Sequence, residues 1–240
     1  MKQTAQLRFR LVVTMILISL APMIAITVLQ QLQIQRTAQN LSDRNTAQVM
    51  TFIERYFEET RQSVLSIAQN YAQNEELNAV FRSGDRDRLD GMIKPIFENL
   101  NLNNNITVFE YGNADGIVFT RGHHPGKYDD DKSSNPSIAA ALRGEVVSGF
   151  EFGSSGLAIR AFLPIMHDSR VIGTFQTGFN LSGQMLAELN ELIQGDIALY
   201  QRDTLSQTSR ADEADQVDTQ SEPEIFERLV RGEESIETLS

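Results

Sequence analysis

Residues 106–119 read ITVFEYGNADGIVF, and this stretch decides the fold class. Ile106, Val108, Phe109 and Tyr111 are β-branched or aromatic, Gly112 to Gly116 supply turn chemistry, and Ile117, Val118 and Phe119 return to strand composition. Two apolar runs joined by a glycine-bounded turn predict a β-hairpin. The chain before it has a helical period and the chain after it is broken into short strands, so the hairpin marks the change of architecture.

Upstream, Val49, Phe52, Ile53, Tyr56, Phe57, Thr60, Val64, Ile67, Ala68 and Tyr71 recur at three- and four-residue steps. They fall on one stripe of a long helix, which reads as core or as a dimer seam, and a homodimer through this helix is expected. The helix is predicted to run to about Phe81, with Ser83, Gly84 and Asp85 as its stop. Asp85 or Asp87 then caps a second helix reaching about Asn99. Downstream, a charged, proline-containing loop spans 121–136, and a short helix over 136–143 closes at Gly144. Three strands follow, over 146–152, 157–165 and 171–180, and Ser182 caps a helix to about Ile193. The fold class is therefore α+β: the long helix packs on one face of a mixed or antiparallel sheet of about five strands.

Further towards the N-terminus, Leu11 to Leu29 is a run of nineteen uncharged residues. As a helix it is about 28 Å long, close to the roughly 30 Å hydrocarbon core of a bilayer. The run reads as a transmembrane helix; the rival reading, a cleaved signal peptide, is opposed by its length and by the helical continuation over 30–33. Lys2, Arg8 and Arg10 precede it with no acid among them, which puts residues 1–10 in the cytoplasm and everything after Gln30 outside the cell membrane.

Composition excludes several functions. The formal charge of −11 repels phosphate backbones, and no basic patch offsets it, so no nucleic-acid partner is expected. Zero cysteines remove disulfides, thiol nucleophiles and covalent haem attachment, and no cofactor is expected. His123, His124 and Asp129 to Asp131 are weak as metal ligands, since adjacent histidines on an extended segment point to opposite sides. There is no G-x-S-x-G and no H-E-x-x-H, and His167 falls in a turn, so the chain is read as not an enzyme.

The chain also carries an internal echo. Ile138, Leu142, Arg143, Gly144 and Glu145 reappear as Ile225, Leu229, Arg231, Gly232 and Glu233, and Asn105, Ile106, Val108 and Phe109 as Asp196, Ile197, Leu199 and Tyr200. Both matches keep order and nearly the same offset, so a second module is expected to begin near Gly195 and to be incomplete at Ser240. The first module, with its helical stalk, occupies 30–194.

Arg121, His123, Pro125, Asp130 and Asp131, then Gly156, Leu157, Ile159, Arg160, Pro164 and Ile165, then Ile172, Gly173 and Gly178, carry a resemblance. The chain resembles the Cache (PAS-like) sensory domains of bacterial chemoreceptors, sensor histidine kinases and diguanylate cyclases, in the double-Cache arrangement. Asp129 stands where that family's pattern favours glycine, and the tryptophan and tyrosine pattern of amino-acid-binding members is absent. The resemblance implies an extracytoplasmic module that binds a small molecule and passes a helix displacement across the membrane to an output domain.

The residues suggest where a ligand would sit. Arg121, His123 and Arg160 are expected on or just after adjacent strands, directing cationic groups into a pocket suited to a carboxylate. Asp130 belongs to the same loop, and Phe119, Tyr128 and Phe162 would form apolar walls. The competing reading pairs Arg121 and Arg160 with Asp129, Asp130 or Asp131 as structural pins. A third possibility is a membrane-tethered interaction module whose pocket is filled and whose surface exposes an apolar patch.

Overall fold

The stripe read from residue 53 onward becomes the buried face of a helix. The computed structural model describes residues 23, 27, 29–33, 47–153, 156–193, 195, 197–201 and 204–209. Ile53–Glu234 forms one compact unit, and a second comprises Met1–Phe52 with Ser235–Ser240. Most of 11–29 and all of 210–240 lie outside the described residues; among those described, no helix is long and apolar enough to cross a membrane.

Helix α1 enters the unit at residue 53 and runs to residue 72. Val64, Ala68 and Ala72, spaced four apart, are buried, with Phe57, Ile67 and Tyr71 packed alongside. The helix stops nine residues earlier than the periodicity predicts. Asn74 takes an extended backbone and accepts the Leu77 N–H at 2.9 Å, capping α2 (Glu75–Ser83). Asn78 donates to the Ala72 carbonyl at 2.8 Å, satisfying the end of α1. Helical apolar spacing resumes at Leu77, Val80 and Phe81 after the polar run 73–76, so the period on either side does not mark the break. Gly84, in the left-handed region, ends α2, and Asp85 caps α3 (Arg86–Asn104) through the Arg88 N–H. This helix runs on to Asn104 because its left-handed cap is Asn105, φ 56°.

The sheet is β1 (Val108–Asn113), β2 (Val118–Arg121), β3 (Val147–Gly153), β4 (Gly156–His167) and β5 (Arg170–Asn180), with α4 (Pro136–Leu142) between β2 and β3. Its order is β2-β1-β5-β4-β3. Every pairing is antiparallel, so the mixed alternative gives way to a purely antiparallel sheet. Helix α5 (Gly183–Ile193) follows, with Ser182 Oγ accepting the Met185 N–H, and then a separate hairpin of β6 (Ala198–Gln201) and β7 (Thr204–Thr208).

The two faces of the sheet differ in chemistry. Phe109 and Tyr111 of β1, Ile159, Ala161 and Leu163 of β4, and Phe175 of β5 share the main core with Val64 and Ala68 of α1 and with Leu89 and Ile93 of α3. Their aromatic rings interlock edge to face, Phe109 on Phe175 at 4.8 Å and Tyr111 on Phe175 at 5.0 Å. Residues one step along each strand face the other way, towards α4. In register they form a row from β3 to β2: Val147, Phe162, Gln176, Glu110, Arg121.

Close strand packing requires glycine at Gly178, where an added Cβ would lie 2.2 Å from the Ile159 carbonyl oxygen. Backbone cannot yield as a side-chain tip can, so Gly178→Ala is expected to destabilise the unit by about 2–3 kcal/mol. Gly91, inside α3 with nothing within 4 Å of its added Cβ, gives the opposite sign: Gly91→Ala gains about 0.5–1 kcal/mol of helix propensity. Urea unfolding midpoints of the two variants check both.

Candidate functional site

A carboxylate in the middle of a strand organises the second face. Glu110 lies within β1, its side chain 3% exposed. Burying an ionised carboxylate is costly unless cations and donors surround it. Arg121 Nε donates to its Oε2 at 2.6 Å, Lys132 Nζ reaches both oxygens at 2.8 Å, and Gln176 Nε2 donates to Oε1 at 2.7 Å. Arg121 also donates through Nη1 to the Lys127 carbonyl at 3.1 Å and pairs with Asp130 at 2.5 Å. Arg121, Lys132, Glu110 and Asp130 sum to zero charge. Asp130 is the exposed member, 46% by side chain, and the hydrogen bond from Arg121 holds its carboxyl below the usual aspartate range.

This network closes the loop over the sheet edge. The Val118 N–H donates to the Asp130 carbonyl, the Asp129 N–H to the Val118 carbonyl and the Lys132 N–H to the Gly116 carbonyl, all at 2.9–3.0 Å. Residues 129–132 thus cover the outer edge of β2, which would otherwise present open donors and acceptors. Asp129 takes φ 65°, adopting the left-handed turn for which the family pattern favours glycine. Its carboxylate pairs with Arg86 at 2.8 Å.

The other expected site residues divide between places. Arg160 of β4 does not neighbour Arg121: β1 and β5 lie between, which at the usual strand spacing separates them by roughly 15 Å. Arg160 pairs instead with Glu151 of β3 at 3.2 Å, its Nε buried without a partner. Glu151 in turn accepts from Asn135 at 2.7 Å, whose Oδ1 caps α4. Phe162 lies on the loop-side face and packs with Ile138 and Ala141 of α4. Phe119 lies on the opposite side of the sheet. A bulge between Tyr111 and Gly112 pairs Thr120 with Tyr111 and Val118 with Gly112, leaving Phe119 as an extra residue turned towards the helices. There it meets Phe81 at 5.2 Å. Tyr128 receives the Arg86 guanidinium 3.8 Å over its ring, and Phe119 receives it at 5.0 Å.

His123 extends the β1–β2 ladder by side chain. Its Nδ1 sits 3.2 Å from both the backbone nitrogen and the backbone oxygen of Phe109. The segment bends there, so the His123 and His124 rings lie 5.1 Å apart and do not point to opposite sides. No group of three or more His, Cys, Asp or Glu that could hold a metal is found among the described residues.

Glu110, Lys132, Gln176 and Arg86 escaped the sequence reading. Glu110 carries a sequence signal only as an acid within an apolar strand run, which Glu151 between Phe150 and Phe152 shares; the other three are brought in by long-range pairing.

These features define a sensor-type α+β module: a helical layer on one sheet face, and a charged loop with a short helix over the other. The chain belongs to the double-Cache sensory domains, the double sensory domain of two-component sensor kinases, whose profile matches residues 39–232. Modules of this family sense rather than catalyse. Among solved structures, the extracellular domain of the histidine kinase vpHK1S-Z8 is similar with TM-score 0.58 and 14% identity, over 80% of this chain and 83% of that one. A domain of a sensory box/GGDEF family protein from Vibrio parahaemolyticus gives 0.56 and 12%, over 79% and 84%. The ligand-binding domain of the Campylobacter jejuni chemoreceptor Tlp3, in complex with 4-methylisoleucine, gives 0.52 and 14%, over 75% and 73%. No curated protein matches the chain by sequence.

Burial pushes the His123 imidazole down to about 4. A base whose folded pKa lies below its unfolded value near 6.5 contributes stability that is complete above pH 6.5 and lost as pH falls towards 4. The loss amounts to about 3 kcal/mol over that window. Unfolding free energies measured between pH 7 and pH 4 should show this slope, and His123→Gln should flatten it.

Proposed function

We propose that the chain is the extracytoplasmic sensing region of a bacterial transmembrane receptor. In this reading the run 11–29 anchors it in the cell membrane, 30–194 form the stalk and first sensor module, and 195–240 begin a second. The β6–β7 hairpin after α5 repeats the placement of β1–β2 after α3, which supports the second module. Helix α1 then carries a displacement of an ångström or two towards the bilayer, and pairing of two α1 helices gives a homodimer.

The observation that carries the ligand reading is the row Phe162, Gln176, Glu110, Arg121 beneath a loop held by Asp130 and Lys132. Because the charges already balance, an added carboxylate is favoured only where it replaces one. Asp130 is the replaceable group, being the most exposed. A small carboxylate therefore binds Arg121 by displacing Asp130, and the freed loop reports the event. Arg160 with Glu151 and Asn135 borders the same face on the far side of Phe162.

A second reading draws on the sheet edge. Val146, Phe150 and Phe152 on and beside β3 are 52%, 56% and 40% exposed, and Phe150 leans on Phe57 of α1 at 5.3 Å. This apolar edge suits a protein partner or a second copy.

Calorimetric titration of the protein with mono- and dicarboxylates separates the readings. The sensor reading expects saturable binding of at least one carboxylate, strengthened roughly tenfold, about 1.4 kcal/mol, in Asp130→Asn. A silent panel, or an unchanged affinity in that variant, contradicts it. Self-association abolished by Phe150→Ser would then favour the second reading.

A further inference from the structure

A cavity of about 660 Å³ lies away from the loop-covered face, between α1, the C-terminal end of α3 and the start of α5. That volume is in the range of small-molecule sites. Its floor is apolar, with Val64, Ile67, Ile106 and Phe179. Its wall contains Glu59 and Glu188 but no lysine, arginine or histidine. Glu188 acts on the Tyr56 phenol in the same wall, which is raised above its ordinary pKa first by burial and then by that carboxylate.

The remaining polar groups favour a donor as occupant. Asn180, in the cavity wall, has a buried Oδ1 with no hydrogen-bond partner, an acceptor waiting for an N–H or O–H. Asn101 spends its Nδ2 on the Ile106 carbonyl at 2.8 Å, leaving its carbonyl oxygen to offer. The last turn of α3 contributes Asn101 and Asn104 and has no basic residue, so the negative end of that helix dipole faces this region uncompensated. The N-terminal end of α5 works against this, but a helix end carries only about half a charge. Two full carboxylates outweigh it.

We infer that this cavity binds an organic cation, a primary amine or diamine with a short apolar body, between Glu59 and Glu188 with its N–H groups directed to Asn180 and Asn101. The inference does not rest on the carboxylate site, from which it differs in ligand charge, in lining residues and in sheet face.

The test is a titration of the full protein with 1,5-diaminopentane, with pentane-1,5-diol and glutarate as neutral and anionic counterparts of similar length. Saturable binding of the diamine alone is expected, weakening as salt rises because the carboxylates are at the rim. Glu59→Gln and Glu188→Gln, both at exposed positions, should each weaken the diamine at least fivefold without shifting the unfolding midpoint. Asp130→Asn should leave it unchanged, so failure here is distinct from failure of the carboxylate reading. No saturable diamine binding, equal binding of the diol, or undiminished affinity in the double Glu→Gln variant would each overturn the assignment.

Discussion

A buried carboxylate cannot remain ionised inside a sheet unless cations come to it. Glu110 imposes that condition from the second strand of the sheet order, and much of the second face answers it. Arg121 arrives from the neighbouring strand, Gln176 from the strand on the other side, and Lys132 from a loop eleven residues beyond Arg121. The loop must fold back for Lys132 to arrive, and in doing so it covers the β2 edge. One acidic residue thereby links strand register, loop closure and the accessibility of Arg121.

The helical face obeys a different rule. Its core is apolar and aromatic-rich and is held by dispersion and area burial, so it specifies a packed frame. Arg86 connects the two regimes. It stands at the start of α3, stacks on Tyr128 and Phe119, and pairs with Asp129 of the loop. Arg86 therefore gives the loop a direct contact with a helix that packs in the main core. Because Asp129 is exposed, its ion pair is worth little by itself, and the stacking over Tyr128 adds to the connection.

Much of this architecture is legible in the sequence, and the exceptions have physical causes. Hairpin, three-strand meander, short helix and caps at Asp85 and Ser182 are local, and turn and cap chemistry announces them. The end of α1 lies in a short polar run, Gln73 to Glu76, with the Asn74 cap inside it, and helical apolar spacing resumes at Leu77, Val80 and Phe81, so the period on either side does not mark the break. Strand order is non-local: nothing in Arg121 or Arg160 says that β1 and β5 will separate them. Phe119 changed sides because one bulge residue shifts the alternation. The pairing of Arg121 with Asp130 is among the alternatives the sequence offers, and the structure has it; Glu110 alternates with Phe109 and Tyr111, a pattern that also fits a solvent-facing acid, and only the loop folded over this face buries it.

Amide hydrogen exchange in Glu110→Gln tests the dependence of loop closure on the buried charge. Removing the charge while keeping the shape should release Lys132, so the Asp129 and Lys132 amides exchange at least tenfold faster while those of Leu89 and Ile93 in α3 keep their protection. Unchanged exchange at Asp129 and Lys132 would mean that the loop stays closed by its backbone pairing alone, and that Glu110 does not organise this face.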